Sequence, residues 1–276
     1  MLIRIVYVCL FTIFTIFSYF SIGAYILQNQ MPSFIFPLIP LEREASEIQK
    51  LELNDSSKNG IIIREYGQFK KSCMVFFPGQ HGGIHSYEEK LFSSFQKNEF
   101  KVFSISYPGQ DGAKGRVNDI ASLLELISDA MDIILLECSP KKTIVYGRSL
   151  GATIAAYTTS KLNLSGLILE GASPSLSFAI SNYVNSIWYL KPFSLLPISS
   201  LLPNDYKLKK PLSLLTEIPI SIFQGAYDKK TPLKQLQQEW GYGDNVSLHI
   251  VKNGNHSTTY TQALDEIVSV AKSMVM

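Results

Sequence analysis

The hydrophobic pattern changes period several times along the chain. From Ile5 to Leu27 it is unbroken, 23 residues without a charge. As a helix this run is about 35 Å long, enough to cross a bilayer core with some tilt. Pro32, Pro37 and Pro40 then predict an extended connector from Gln28 to Pro40. Within it, Phe34 and Phe36 suit either a membrane surface or packing on the body. Alternating or continuously apolar runs predict strands at Glu47–Leu53, Ile61–Tyr66, Cys73–Phe77, Val102–Tyr107, Thr143–Tyr146, Gly166–Leu169, Ile218–Gln224 and Val246–Val251. Helical spacing separates several of them. Ser86, with Glu89 three residues on, reads as a capping box opening a helix to about Asn98. Further helices are expected over Val117–Leu136, Ala152–Ser160 and Pro232–Trp240, and a last one starts with Ser257 as its cap.

Strands that alternate with helices call for parallel pairing through crossover helices. The expected fold is therefore α/β: three layers around a mostly parallel sheet. Ala172 to Glu217 breaks the rhythm. Lys191 is the only charge between Ala172 and Asn204, and Leu176, Ile180, Tyr183, Val184, Ile187 and Trp188 lie at helical spacing. This segment reads as a small cap over the strand ends, either packing on the body or lining an apolar acyl pocket. The organisation expected is a transmembrane signal anchor over residues 1–30, a connector over 31–45 and the α/β domain over 46–276, with the cap at 172–217.

Composition narrows the function. A net charge of +2 leaves no electrostatic footprint for nucleic acid, and no Gly-rich loop ending in Lys-Ser/Thr supports nucleotide chemistry. Cys9, Cys73 and Cys138 show neither metal-ligand spacing nor a disulfide framework, and Cys73 reads as a small hydrophobe in a core strand. No metal or cofactor is expected. Arg4 precedes the apolar run and no Lys or Arg follows until Arg43. The positive-inside rule puts the N-terminus in the cytoplasm and the body outside it or in a lumen. A cleaved signal peptide is the rival, but its apolar core would usually be about 7–15 residues, and Ile22-Gly23-Ala24 is a poor cleavage site.

The candidate chemistry centres on Gly147-Arg148-Ser149-Leu150-Gly151, set between a strand and a helix. Such a nucleophile elbow exposes a serine hydroxyl above the sheet, at the start of a helix whose N–H groups face the reacting atoms. A serine needs a base, and the base an orienting carboxylate. Of the four histidines, only His249 and His256 come late enough. His249 lies within a strand and reads as structural; His256 lies in the Asn253-Gly254-Asn255 loop after the last strand and is the expected base. Asp228, after the penultimate strand, is the expected acid, with Glu170 as rival. The oxyanion would be held by the N–H of Leu150 and one from the Pro78–Gly83 loop, at Gln80, with Gly79, Gly82 and Gly83 letting that loop turn.

Taken together, Phe77-Pro78-Gly79-Gln80, Tyr107-Pro108-Gly109, Gly147-Arg148-Ser149-Leu150-Gly151, Leu167-Ile168-Leu169-Glu170, Gly225-Ala226-Tyr227-Asp228 and Gly254-Asn255-His256 resemble the α/β-hydrolases from about Glu47 to the end. More narrowly, the chain resembles membrane-anchored ABHD-type and Bem46-like serine hydrolases. The resemblance implies cleavage of an ester, thioester or lipid acyl bond, with Ser149, Asp228 and His256 as the triad and Glu170 at a family position outside it. The chain departs from the family's usual His-Gly-Asn at Pro78-Gly79-Gln80 and from its usual Tyr-Arg-Gly at Tyr107-Pro108-Gly109. The partners expected are a small-molecule or lipid acyl substrate and a membrane, with the oligomeric state left open. A peptidase on the same fold and a silent ligand-binding member are the competing functions.

Overall fold

β-branched and aromatic runs become eight strands: β1 (Gln49–Asn54), β2 (Gly60–Tyr66), β3 (Ser72–Phe77), β4 (Phe100–Ser106), β5 (Thr143–Arg148), β6 (Gly166–Glu170), β7 (Ile220–Gly225) and β8 (Val246–Val251). The structure is a computed structural model that describes residues 1–42, 45–56, 58–68, 71–81, 83–239, 241 and 243–276. All eight strands form one sheet in the order β1-β2-β4-β3-β5-β6-β7-β8. The β1–β2 and β2–β4 pairs are antiparallel; every pair from β4 to β8 is parallel.

Strand periodicity divides the core into two layers. Cys73, Val75 and Phe77 of β3 face one cluster, while Met74 and Phe76 face the other. The first cluster is covered by α2 (Ile120–Glu137), α3 (Leu150–Thr159) and α4 (Leu176–Ser186), and takes in Leu27 from the end of α1 (Leu2–Asn29). The second is covered by a helix in three pieces, His85–Tyr87, Glu88–Phe92 and Ser93–Lys97, and by α5 (Leu264–Val275). Phe76 is fully buried there against Tyr87, Phe92 and Tyr146. Each such side chain contributes about 1.5–3 kcal/mol on burial.

Several local expectations are corrected. The connector is not extended throughout. Met31–Ile35 is a short helix with Pro32 in its first turn, where the missing N–H costs nothing. Ile39 then bridges to Gln110, and Phe36 is buried edge-on against Tyr107. Ser86 does not cap its helix; it lies inside the first turn. The N–H groups of Gly83 and Ile84 go instead to the carboxylate of Asp111, from a loop distant in sequence. The middle of that helix widens into a π-helical turn at Glu88–Phe92. Ser257 is not a cap either: its N–H and that of Thr258 are taken by the Asn255 side chain, and the helices that follow are Thr259–Gln262 and α5. The helix expected at Pro232–Trp240 spans Leu233–Gln238. Gly82 and Trp240 lie outside the described residues.

The cysteine expectation is also overturned. Cys73 at the start of β3 and Cys138 just after α2 form a disulfide, Cα–Cα 6.1 Å, across 65 residues of sequence. No local spacing signals such a pair, because only the β3–β4–α2 packing brings the two ends together. A bond closing a loop of this length stabilises by about 2–5 kcal/mol. Replacing both cysteines by serine is expected to lower stability by that amount in denaturant melts. Without reductant, alkylation of unfolded protein is expected to reach only Cys9; with reductant, all three thiols.

Candidate active site

The carboxyl ends of β3, β5, β6, β7 and β8 lie side by side, the edge at which parallel sheets bind ligands. At the end of β5 the chain turns through Ser149 at φ 55°, ψ −119°. A residue with a side chain resists this conformation, and neighbouring packing holds it there. A Cβ on Gly147 would meet Ala155 and the backbone of α3, and one on Gly151 would meet the carbonyls of Phe77 and Pro78. Both positions need glycine because the backbones pass too close for anything larger.

The structure brings Ser149, His256 and Asp228 into one hydrogen-bonded chain. His256 Nε2 is 3.0 Å from Ser149 Oγ, and His256 Nδ1 is 2.8 Å from Asp228 Oδ2. The Asp228 carboxylate is buried and well held: the N–H groups of Lys230 and Thr231 donate to Oδ1 at 2.9 Å, and the Thr231 hydroxyl donates to Oδ2 at 2.8 Å. Burial alone would push its pKa up. The hydrogen bond and charge of His256, with the Thr231 donors, outweigh this and hold it below the usual aspartate value. A hydroxyl, an imidazole and an ionised carboxylate in this order can move a proton from the oxygen to Nε2 as the oxygen attacks.

Glu170, the rival acid, lies elsewhere. Its carboxylate is buried and bound by Arg148 Nε (3.2 Å), the Tyr146 hydroxyl (2.9 Å) and the Tyr260 N–H (3.1 Å). Burial raises its pKa, opposed chiefly by Arg148. Arg148 also donates to the Tyr87 hydroxyl (2.8 Å) and to the carbonyl oxygen of His256 (2.5 Å). The Arg148–Glu170 pair therefore positions the loop that carries His256. Sequence reading missed Arg148 and Thr231 as parts of the site. A signal for Arg148 did exist: it stands opposite Glu170 at the ends of two neighbouring parallel strands. His249, expected to be structural, is stacked on Phe223 and lies 2.7 Å from Glu266.

Gln80 and Leu150 both border the cavity beside Ser149. Leu150 opens α3, so its N–H is one that the helix leaves without an acceptor of its own. The Gln80 peptide is fixed from two sides. Its carbonyl accepts from Gln110 Nε2 at 2.8 Å, and its side-chain amide donates to the Phe34 carbonyl at 2.7 Å. The cavity holds about 250 Å³; Ser149 and Thr231 are among its polar lining residues, and Leu176, Ile180 and Val184 of α4 among its apolar ones. No charged residue lines it among the described residues. Among these residues, too, no cluster of His, Cys, Asp and Glu could hold a metal ion.

Two outcomes follow from these contacts. Arg148→Met leaves Glu170 buried without a counter-ion and is expected to cost about 3–5 kcal/mol in thermal or denaturant melts; adding Glu170→Gln is expected to restore part of it. Because the folded-state pKa of Asp228 is depressed, its contribution to stability is present above the unfolded value and is lost as pH falls through the folded one. The stability gap between native protein and Asp228→Asn is expected to stay constant from neutral pH to about pH 5 and to close only in stronger acid.

The family model described as serine aminopeptidase, S33 (Hydrolase_4) matches residues 68–243, well over half of the chain. That span includes Ser149 and Asp228 and ends before His256; it does not single out the membrane-anchored ABHD-type or Bem46-like groups. No curated protein matches the sequence. Among solved structures, an esterase of Pyrococcus furiosus is similar over 87% of this chain and 98% of its own, at 13% identity and a TM-score of 0.66. A bromoperoxidase of Bacillus anthracis is similar over 82% and 99%, at 13% identity and a TM-score of 0.59. A thioesterase domain from the curacin biosynthetic pathway is similar over 83% and 99%, at 14% identity and a TM-score of 0.56. These likenesses establish a common α/β-hydrolase fold, and the span matched by the family model settles the family: the chain belongs to the serine aminopeptidase S33 (Hydrolase_4) family.

Proposed function

We propose that this protein is a serine hydrolase that cleaves an ester, thioester or lipid acyl bond through an acyl-enzyme. The observation that carries the reading is the Ser149–His256–Asp228 chain, at 3.0 and 2.8 Å, opening onto a cavity with no charge among the described residues that line it. Ser149 Oγ attacks the acyl carbon while its proton passes to His256 Nε2. The carbonyl oxygen becomes an oxyanion facing the N–H groups of Leu150 and Gln80. Asp228 holds the imidazole by Nδ1 and stabilises its charge. As the oxyanion collapses, the bond to the leaving group breaks and His256 gives it the proton. Water then repeats the sequence on the acyl-serine: His256 takes a proton from the water, the acid departs, and Ser149 regains its proton.

The family's description names aminopeptidases, which makes that the second reading. An aminopeptidase must bind the ammonium group of its substrate, and a cation taken from water needs a counter-charge. The cavity offers none among the described residues that line it. Among the described residues, the Asp228 carboxylate is already held by His256 and Thr231, and that of Glu170 by Arg148. An acyl chain has no such requirement, which favours the ester reading.

Under the same proposal, α1 anchors the enzyme in a membrane, with the N-terminus cytoplasmic and the hydrolase domain outside the cytoplasm or in a lumen. Among the described residues one helix, Ile3–Asn29, is long and apolar enough to cross a bilayer, although a signal sequence meets the same criterion. The Cys73–Cys138 disulfide supports that topology, since such bonds persist in oxidising compartments.

A fluorophosphonate probe is expected to label the native protein on Ser149 and to leave Ser149→Ala unlabelled. Ester turnover is expected to fall roughly 10⁶-fold in Ser149→Ala and roughly 10⁴-fold in Asp228→Asn. Aminoacyl arylamides are expected to be poor substrates beside acyl esters. A folded protein that resists the probe, or that prefers the arylamides, would refute the assignment.

A further inference from the structure

We infer that the outer end of α1 is a wall of the substrate cavity, that the tip of the cap lies in the adjoining leaflet, and that the substrate is therefore a bilayer-dissolved acyl lipid which reaches Ser149 sideways from the membrane. The inference deepens the proposed function and rests on its reading of α1 as the anchor.

Packing along α1 is uneven. Residues 3–17 are exposed throughout, whereas Ser18, Tyr19, Phe20, Gly23 and Leu27 are covered to differing degrees. What covers them is the cap. The Tyr19 ring stacks on Phe193 at 4.3 Å and its hydroxyl donates to the Tyr189 carbonyl; Phe20 meets the same Phe193 edge-on. Gly23 lies so close to the Phe193 ring that a Cβ would run into it. One turn on, Ile26 and Leu27 face the cavity that Ser149 opens into, together with Leu190 and Phe193 from the cap. Anchor and cap thus close one side of the acyl cavity between them.

Depth in the bilayer follows from length. Residues 3–17 alone would extend about 22 Å, short of a hydrocarbon core of about 30 Å. With Arg4 at the far interface, a core of about 20 residues beginning at Ile5 ends near Ala24. Tyr19, Phe20 and Gly23 then lie within the last turns of the core, and the cap residues that touch them lie at the same depth. The exposed side chains of that part of the cap suit such a place: Trp188 is 85% exposed, Leu195 80%, Tyr183 57% and Tyr189 55%. In water this cluster would be an unfavourable apolar patch; at the membrane boundary, Trp and Tyr are the favoured residues. Lys191, beside them in sequence, has a stem long enough to carry its charge out to the headgroups. An acyl chain passing between the cap and α1 would move from lipid to apolar cavity without crossing water.

Two measurements on the full-length chain in phosphatidylcholine vesicles test this. In Trp240→Phe, Trp188 is the only tryptophan left. Its emission is expected to be blue-shifted and strongly quenched by phosphatidylcholine carrying bromine on its acyl chains. Ile26→Trp narrows the cavity from the anchor side. The ratio of long-chain to short-chain ester turnover is expected to fall roughly 10- to 200-fold, the range for occluding a methylene-sized contact. An unquenched Trp188, or an unchanged chain-length ratio in folded Ile26→Trp, overturns the inference. Should Ile26→Trp fail to fold, the quenching result still decides. Loss of Ser149 labelling in the native protein would instead count against the hydrolase reading, so the two failures are distinguishable.

Discussion

Ser149 occupies a backbone conformation that residues with side chains avoid, and the surrounding structure is built to hold it there. Its N–H is bonded to the Glu170 carbonyl on the neighbouring strand at 2.7 Å, so the turn is tied to β6 as well as to its own helix. α3 presses against β5 through Gly147 and against the end of β3 through Gly151. A central parallel sheet with two buried faces supplies the rigidity that such a turn requires. From that fixed point the other ends follow: β7 delivers Asp228, β8 delivers His256, and β3 delivers Gln80.

The loops at this edge also hold one another. Arg148, the residue before the nucleophile, reaches across to the His256 backbone while its charge is balanced by Glu170. The hydroxyl of Tyr107 donates to the Pro78 carbonyl at 3.1 Å, joining the loops that follow β3 and β4. Gln110 grips the Gln80 carbonyl. Preorganised groups of this kind act where charge develops because they need no reorganisation at the moment of reaction. Above them, α4 and the end of α1 enclose a cavity whose apolar lining suits an acyl chain.

Much of the framework could be read from the chain. Apolar or alternating runs of strand length located the strands to within a few residues; β3, β4, β6 and β7 are buried on both faces and so are mostly hydrophobic, whereas the exposed edge strand β1 shows only partial alternation. Ser149, His256 and Asp228 were legible from a short motif and from order along the chain, and the structure places them within hydrogen-bonding reach. What escaped depended on contacts between residues far apart in sequence. Ser86 was expected to cap its helix, but it lies inside the first turn, and the turn that leads into the helix is held by Asp111, a carboxylate from another loop. Cys73 and Cys138 meet only after α2 has folded onto the sheet. Thr231 supports Asp228 through a turn whose shape no local pattern announces. The apolar run of α1 was readable as a membrane span, but its contact with Phe193, and hence its share in the cavity wall, was not.

The central claim is that the Ser149 hydroxyl attacks an acyl carbon and carries the acyl group between the two half-reactions. The most direct measurement is peptide mass spectrometry on enzyme quenched in acid during turnover of a slow acyl ester. The account predicts one added acyl mass on the peptide that carries Ser149, appearing with the burst of alcohol and decaying as free acid is released. Steady turnover of the ester with no acyl group on that peptide, or with the acyl group on another residue, would contradict it.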